Sequence, residues 1–293
     1  MATPYRGRFA PSPSGPLHFG SLVAALASYL DARHHRGTWL VRIDDIDGPR
    51  TVAGAAEHII DSLAAHGLYS DEPVFYQSQQ DARYTRALDT LKTRKLLYAC
   101  DCTRKRLKGL GAYDGYCRNR QGEVGSPAAL RVRVAEQTHI RFNDGFAGPQ
   151  HCRLDTDSGD FIVKRKDGLW AYQLAAAVDD GDSQRITHVV RGADLLPTTA
   201  KQIYLQGLLG INTPEYLHVP IALDKHGNKL SKQNHAAPLD NSSALANLRE
   251  ALAFLKQTPP PPTIDTVPAL LETAVRQWNR SALQTRYNNS SSP

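Results

Sequence analysis

The chain has 293 residues, of which 41% are hydrophobic and 22% charged, and its formal net charge is +6. This balance is typical of a globular protein of one or two domains. The longest apolar run near the start, residues 22–27, is too short to span a membrane, and the N-terminus lacks the apolar core of a signal peptide. We therefore expect a cytoplasmic protein whose four cysteines form no disulfides. The positive charge permits an anionic partner such as nucleic acid.

The first hundred residues alternate between strand and helix patterns. The predicted elements are a strand ending at 8–10, a helix with an apolar stripe at Leu22, Val23, Leu26 and Leu30, a buried strand at 38–43, and a helix capped by Thr51 with a stripe at Val52, Ala55, Ile59 and Leu63. This β-α-β-α order is typical of a parallel sheet with flanking helices.

The later composition divides the chain into four segments. Residues 1–98 form the first half of an α/β domain, and 99–160, richer in Gly and Arg, read as an insertion. The α/β pattern resumes in 161–237, with a strand in "ITHVVRG", a helix at 199–209 and a strand in "YLHVPIAL". Residues 238–293 form a short helical region with a polyproline linker at 259–262 and a disordered tail.

The opening stretch "PSPSGPLHFG" places a stiff loop directly before a helix. The N–H groups of a helix N-terminus attract anions, His18 adds a donor, and Gly20 permits close approach to the backbone. Taken alone, this short pattern favours a rigid turn with a surface histidine. The loop "NKLSKQN", residues 228–234, makes an anion-binding site the better interpretation. Its two lysines are suited to the charge that develops on a leaving pyrophosphate.

Together these stretches make the sequence resemble the glutamyl branch of the class I aminoacyl-tRNA synthetases. "RFAPSPSGPLHFGS" resembles its HIGH signature, "KLSKQ" its KMSKS signature and "VRIDDID" its RIEDTD segment, while residues 160–194 resemble the stretch lining the amino-acid pocket. The resemblance implies a Rossmann-type, doubly wound parallel-sheet catalytic domain. It also implies a ligase that binds ATP, Mg²⁺ with the ATP, and L-glutamate.

Only about sixty residues follow "KLSKQ", which leaves no room for an anticodon-binding domain. This truncation resembles the glutamyl-Q tRNA(Asp) synthetase family, which implies tRNA-independent formation of glutamyl-adenylate. Glutamate would then pass to queuosine at the wobble position of tRNA(Asp), so the anticodon arm is the expected partner and a monomer the expected state. The alternative is a truncated glutamyl-tRNA synthetase that charges a tRNA 3′ end. A catalytically silent RNA-binding protein and an adenylyl ligase without RNA are further alternatives.

The resemblance carries over site residues one by one. His18 and Lys232 are the expected catalytic residues. ATP is expected to contact His18, Gly20, Ser21, Lys229 and Lys232. Glutamate is expected to contact Arg8, Ala10, Ser12, Asp44, Tyr172 and Arg191. This distribution suits the substrate, because arginine offers forked donors to a carboxylate and Asp44 can accept from the ammonium.

Four positions depart from the family pattern. Ser21 replaces the second histidine of HIGH, and Asp44 is one methylene shorter than the usual glutamate. Gln173 stands for the usual asparagine after the pocket tyrosine, and Gln233 for the last serine of KMSKS. None of these changes removes a charge from the expected site.

Cys100, Cys102 and Cys117 lie within eighteen residues and suit a tetrahedral zinc site. Free structural thiols are the alternative. From chemistry alone the fourth ligand stays open among Cys152, His139 and His151. The resemblance instead indicates Tyr113, in "YDGYC", with Tyr116 as a weaker choice. We expect one structural Zn²⁺ that holds the insertion together.

Overall fold

The computed structural model describes residues 3–120, 123–222 and 237–284. Its strands are β1 (Arg6–Phe9), β2 (Thr38–Ile43), β3 (Phe75–Tyr76), β4 (Leu97–Cys100), β5 (Ala129–Val132), β6 (His139–Asp144), β7 (Gly148–Arg153), β8 (Phe161–Lys164), β9 (His188–Gly192) and β10 (Glu215–Val219). Its α-helices are α1 (Phe19–His34), α2 (Ala55–Ala65), α3 (Asp81–Thr93), α4 (Arg104–Leu107), α5 (Leu154–Asp157), α6 (Tyr172–Val178), α7 (Leu196–Leu209), α8 (Ala244–Phe254), α9 (Val267–Gln277) and α10 (Ser281–Gln284). None of the helices in these ranges is long and apolar enough to cross a membrane.

The main sheet has seven strands in the order β3-β2-β1-β9-β10-β6-β7. Neighbours from β3 to β6 run parallel, and β7 runs antiparallel to β6. The chain leaves β1 toward β2 on one side and returns to β9 on the other, so the strand order reverses beside β1. In open α/β sheets, ligands bind at the carboxyl ends of the strands at such a reversal. The predicted doubly wound α/β fold is confirmed.

The segment 99–160 contributes to two sheets. Strand β5 pairs antiparallel with β4 and β8 in a separate three-stranded sheet. The β6–β7 hairpin instead extends the main sheet, where Asp144 lies opposite Tyr216. The boundaries of the four sequence segments stay a prediction, but this hairpin brings Asp144 next to β10, which matters for the site.

The helix predicted after the second strand begins later than the sequence pattern indicated. Gly54, with a positive φ of 76°, precedes the first residue of α2, and Thr51 lies outside the helix. Val52 is 52% exposed, so its place in the apolar stripe was wrong. The backbone N–H of Val52 instead donates to the carbonyl of Pro13 at 2.9 Å. This bond fastens the segment before α2 to the loop after β1.

The C-terminal helices pack on α1 and complete the core. Leu248, Leu252 and Leu270 join the same buried apolar cluster as Leu22 and Leu26 of α1. Burial of such side chains contributes about 1.5–3 kcal/mol each. Helices α8 and α9 therefore share one apolar core with α1 and the main sheet.

Asp31 of α1 fastens the end of the described chain to the main sheet. It is fully buried and accepts hydrogen bonds from the Tyr5 hydroxyl, from Trp278 Nε1 at 2.8 Å and from Arg280 Nε at 2.6 Å. Burial by itself raises the pKa of Asp31, but the bonds and charge of Arg280 outweigh it, and the pKa lies below its usual 3.8. The folded state therefore favours the carboxylate.

We expect Asp31→Asn to lower the free energy of unfolding at pH 7 by about 3 kcal/mol, because it leaves the Arg280 charge without its partner. Because the pKa of Asp31 is lower in the folded state, its carboxylate stabilises the wild-type protein fully above the pKa of the unfolded state. This stabilisation is lost as pH falls through the pKa of the folded state. Urea unfolding from pH 7 to pH 3 measures both effects. Glu272→Gln, which removes an exposed pair with Arg276, is the control and costs at most about 0.5 kcal/mol. Equal losses in the two variants contradict the expectation.

Candidate active site and metal centre

Helix α1 begins beside the carboxyl end of β1, at the mouth of a cavity of about 430 Å³. His18 caps the helix, and its Nδ1 accepts from the backbone N–H of Ser21 at 3.3 Å. The cavity is lined by all the described residues predicted to contact ATP or glutamate except Asp44. These are Arg8, Ala10, Ser12, His18, Gly20, Ser21, Tyr172 and Arg191. The structure thus gathers a helix N-terminus and two arginines around one space.

Arg8 is held by a buried carboxylate that the sequence analysis missed. Asp180, in the turn that continues α6, accepts from Arg8 Nε at 2.9 Å and from Nη2 at 3.0 Å. It also accepts from Arg42 Nη1 at 2.7 Å. Burial alone raises the pKa of Asp180, but the two guanidinium charges outweigh it and hold the pKa below its usual range. Asp180 stays ionised and fixes the direction of Arg8.

Asp44 lies on the other side of this network. Its Oδ1 accepts from Arg42 Nε at 2.6 Å, so Arg42 bridges Asp44 and Asp180. Asp44 does not line the main cavity but a neighbouring one of about 360 Å³. The two cavities share Ser12 and Ser14. Asp44 therefore lies beside the space that holds the other predicted glutamate contacts, and its role stays a prediction.

Arg191 is the second arginine of the main cavity, and four side chains orient it. It donates to Gln202 Oε1 at 2.8 Å, to Thr199 Oγ1 at 2.8 Å, to His218 Nε2 at 3.0 Å and to the Tyr172 hydroxyl at 3.4 Å. Arg191 and His218 are partners in register on β9 and β10. The sequence pattern identified Arg191 and Tyr172 but gave no signal for the others, which come from α7 and β10.

Asp144 fixes the tautomer of His218. Their side chains meet at 2.6 Å between Oδ2 and Nδ1, and both are fully buried. Burial lowers the pKa of His218 below its usual 6.5, so the ring is neutral at pH 7. Because Nδ1–H donates to Asp144, Nε2 is left as the acceptor for Arg191. Asp144 thus acts on Arg191 through His218.

We expect His218→Phe to raise the KM for glutamate about tenfold, since the Arg191 Nε–H loses its acceptor. The KM for ATP should change less than twofold. His218→Gln, whose side-chain oxygen can still accept, should recover much of the loss. Glutamate-dependent ATP–pyrophosphate exchange measures all three values. A glutamate KM in the Phe variant equal to the wild-type value contradicts the positioning role.

Three cysteine thiols gather at the end of β4, in the small sheet, and in the segments that follow it. The sulfurs of Cys100, Cys102 and Cys117 all lie within 4.8 Å of one another. The Tyr113 hydroxyl is 3.6 Å from the Cys100 sulfur and 3.7 Å from the Cys102 sulfur. This arrangement of three thiols and one phenol could hold a metal ion. No other group of this kind occurs among the His, Cys, Asp and Glu residues that the structure describes.

The other fourth-ligand candidates lie elsewhere. Cys152 is on β7 and packs on a different apolar cluster. His139 and His151 stack on each other on the β6–β7 hairpin, with 2.8 Å between their ring nitrogens. Tyr116 is 54% exposed under the Arg106 guanidinium. Among these candidates for the fourth ligand, the geometry therefore favours Tyr113.

Lys229, Lys232 and Gln233 lie outside the described residues. The described chain before them lines the main cavity, and the described chain after them bonds to the residue next to His18. Ala222 lines the cavity, and the backbone N–H of Leu239 donates to the carbonyl of Leu17 at 2.9 Å, next to His18. The roles of the two lysines stay predictions.

Comparison with known sequences places the chain among named relatives. The family described as tRNA synthetases class I (E and Q), catalytic domain, matches residues 5–254. A Burkholderia cenocepacia protein named glutamyl-Q tRNA(Asp) synthetase is 54% identical over 264 residues, 86% of this chain and 88% of that protein. A Cupriavidus metallidurans protein of the same name is 50% identical over 295 residues, 95% of this chain and 92% of that protein.

Solved structures show the same fold. A glutamate tRNA ligase from Elizabethkingia meningosepticum, solved in complex with its amino acid, is 25% identical with a TM-score of 0.77. The alignment covers 96% of this chain but only 66% of the solved chain. The glutamate-tRNA synthetase of Elizabethkingia anophelis is 24% identical with a TM-score of 0.79, and the alignment covers 67% of that solved chain. This second likeness supports the fold alone.

Proposed function

This chain belongs to the class I tRNA synthetase (E and Q) family, and we propose that it is an ATP-dependent ligase that transfers glutamate to queuosine in tRNA(Asp). The observation that carries the activation step is the pair of buried arginines, Arg8 and Arg191, on one cavity with the N-terminus of α1. The acceptor is inferred from the names of relatives that align over 88% and 92% of their own length.

In the first step, an oxygen of the glutamate α-carboxylate attacks the α-phosphorus of ATP. The new O–P bond replaces the bond to the bridging oxygen, and pyrophosphate leaves with the electron pair. His18, Gly20 and Ser21 bind the nucleotide, and Lys229 and Lys232 stabilise the leaving charge. The protein contributes mainly positioning and electrostatic stabilisation. Mg²⁺, held by the triphosphate oxygens, would neutralise part of their charge.

Glutamate recognition uses the two oriented arginines. Beside its bonds to Asp180, Arg8 keeps its Nη1 group and one Nη2 hydrogen and can donate two parallel bonds to a carboxylate. Arg191 keeps one Nη2 hydrogen beside its four side-chain partners and can donate one bond. Asp180 and His218 fix the directions of these donors. The Tyr172 hydroxyl and Ser12 add donors at the wall, and Asp44 accepts from the ammonium. Preorganised donors avoid the cost of ordering side chains when the substrate binds.

In the second step, a hydroxyl oxygen of the queuosine side chain attacks the carbonyl carbon of glutamyl-adenylate. An ester C–O bond forms, and the bond between that carbon and the phosphate oxygen breaks. AMP leaves with the electron pair, and its phosphate takes the hydroxyl proton. The protein therefore has to hold the acceptor beside the activated carbonyl.

The metal centre has a structural part in this proposal. Cys100, Cys102, Cys117 and Tyr113 would bind one Zn²⁺ in the tetrahedral arrangement that structural zinc prefers. Zinc, when bound, would cross-link β4 to the loop that carries Tyr113 and Cys117. None of these four residues lines the main cavity, so we assign them no chemical step.

The test is transfer of labelled glutamate, with ATP and Mg²⁺, to two tRNA pools. One pool comes from cells that make queuosine and the other from cells that cannot. Label in the first pool alone is the expected result. Equal label in both pools favours charging of a 3′ end. Label in neither pool, with pyrophosphate exchange intact, indicates an adenylyl ligase with another acceptor. Absence of exchange with glutamate overturns the enzyme assignment.

A further inference from the structure

A second cavity adjoins the main one. Of its lining residues, the proposed activation step uses only Asp44 and Ser12. It has a volume of about 360 Å³ and lies between the loops that follow β1 and β2. Its lining is Ser12, Pro13, Ser14, Asp44, Asp47, Arg50 and Thr51. Because Ser12 and Ser14 also line the main cavity, a molecule in one space can reach a group in the other.

The walls of the second cavity are held in place by specific bonds. The backbone N–H groups of Asp44 and Val52 donate to the carbonyls of Pro11 and Pro13, both at 2.9 Å. These two bonds join the loops along both sides of the space. The cavity is therefore a defined feature of the loop packing.

Asp47 is fixed at the rim of the second cavity. Its carboxylate accepts from Arg50 Nε at 2.6 Å and from Arg165 Nη1 at 3.2 Å, and its carbonyl accepts from the Thr51 hydroxyl at 3.2 Å. Arg165 comes from the loop after β8, so the rim is tied to a third part of the chain. These bonds hold the carboxylate and the hydroxyl in fixed positions at the entrance.

The charges of the lining disfavour a phosphate. The lining carries two carboxylates, three hydroxyls and one guanidinium. Asp44 is paired with Arg42, and Asp47 with both Arg50 and Arg165, so the described lining offers a phosphate no unpaired guanidinium. Carboxylates accept hydrogen bonds from hydroxyls and ammonium groups and repel anions. The triphosphate therefore belongs in the main cavity. The second cavity suits a neutral or cationic ligand with several hydroxyl groups.

We propose that this second cavity is the acceptor subsite, which holds a hydroxylated, amine-bearing side chain of a tRNA nucleoside beside the activated glutamate. The inference rests on the proposed function and deepens it, because the queuosine side chain carries a vicinal diol and a secondary amine that is protonated at neutral pH. Asp47 and Thr51 bind this side chain at the rim. One hydroxyl reaches past Ser12 and Ser14 toward the main cavity.

The test separates activation from transfer in the full-length protein. The variants are Asp47→Asn and Thr51→Val, with Asp61→Asn, an exposed carboxylate on α2, as the matched control. Glutamate-dependent ATP–pyrophosphate exchange measures activation. Single-turnover transfer of labelled glutamate to queuosine-containing tRNA(Asp) measures the second step. We expect exchange within twofold of the wild type in all three variants. Transfer should fall at least about tenfold in the two cavity variants alone.

Two results overturn the acceptor subsite. One is transfer within twofold of the wild type in both cavity variants. The other is a parallel loss of exchange and transfer in variants that melt like the wild type, which assigns the cavity to glutamate activation. Failure of the proposed function is a different result, in which the wild-type protein itself exchanges pyrophosphate but labels no queuosine-containing tRNA.

Discussion

Replacing Arg191 by lysine is expected to lower kcat/KM for glutamate about 100-fold in ATP–pyrophosphate exchange. The buried guanidinium holds Gln202 and Thr199 at 2.8 Å while it faces the cavity. A lysine ammonium is a single point of charge and cannot serve these partners and a substrate carboxylate in the same geometry. The loss should appear mainly in the KM for glutamate, because the interaction exists already in the bound ground state.

Arg276→Lys is the matched control for this substitution, since Arg276 pairs with Glu272 on the exposed face of α9. Its exchange rate should equal that of the wild type. Thermal unfolding of the Arg191 variant shows whether the folded state persists. An Arg191→Lys protein that is folded and retains exchange within threefold of the wild type contradicts the assignment of Arg191 to the substrate.

Loss of the metal centre is expected to have the second large effect. Structural zinc contributes about 10–16 kcal/mol of apparent binding free energy in small zinc domains. Cys102→Ser should therefore reduce the bound zinc from one ion per chain to less than about 0.1 and lower the melting temperature. Metal analysis of purified protein, with melting curves recorded before and after chelation, measures both.

Cys152→Ser is the matched control for the metal centre, because this fourth cysteine lies on β7 in another apolar cluster. It should keep its zinc. Tyr113→Phe tests the phenol separately, since it leaves the three sulfurs in place. We expect zinc to bind about tenfold more weakly in that variant. Unchanged zinc affinity excludes the phenol as a ligand, and equal zinc loss in the two cysteine variants contradicts the three-thiol site.

Local sequence patterns predicted much of this fold. The strand at 38–43 is β2 as predicted, because five of its six positions, all except Arg42, are apolar or β-branched and favour a buried strand. The stretch "PSPSGPLHFG" correctly located the start of a helix, since prolines and a glycine mark a boundary by their backbone preferences alone. Val52 was misplaced because periodicity carries no information on where a helix begins.

The partners of the site residues could not be predicted in this way. Asp180 lies 172 positions from Arg8, and Asp144 lies 74 positions from His218. No periodicity or spacing links residues so far apart, and each carboxylate alone reads as an ordinary surface group. Only the sheet order, with β9 and β10 beside β1 and β6, brings them together.

The sequence by itself therefore determined the chemical inventory: Arg8 and Arg191, His18 before a helix, the three thiols and the order of the elements. The tertiary structure decided how that inventory is arranged. It placed Asp44 in the second cavity, it oriented Arg191 through His218, and it buried Asp31 under the C-terminal helices. The physical reason is that composition and periodicity are local properties. Burial, ion pairing and cavity shape arise only when distant segments pack against one another.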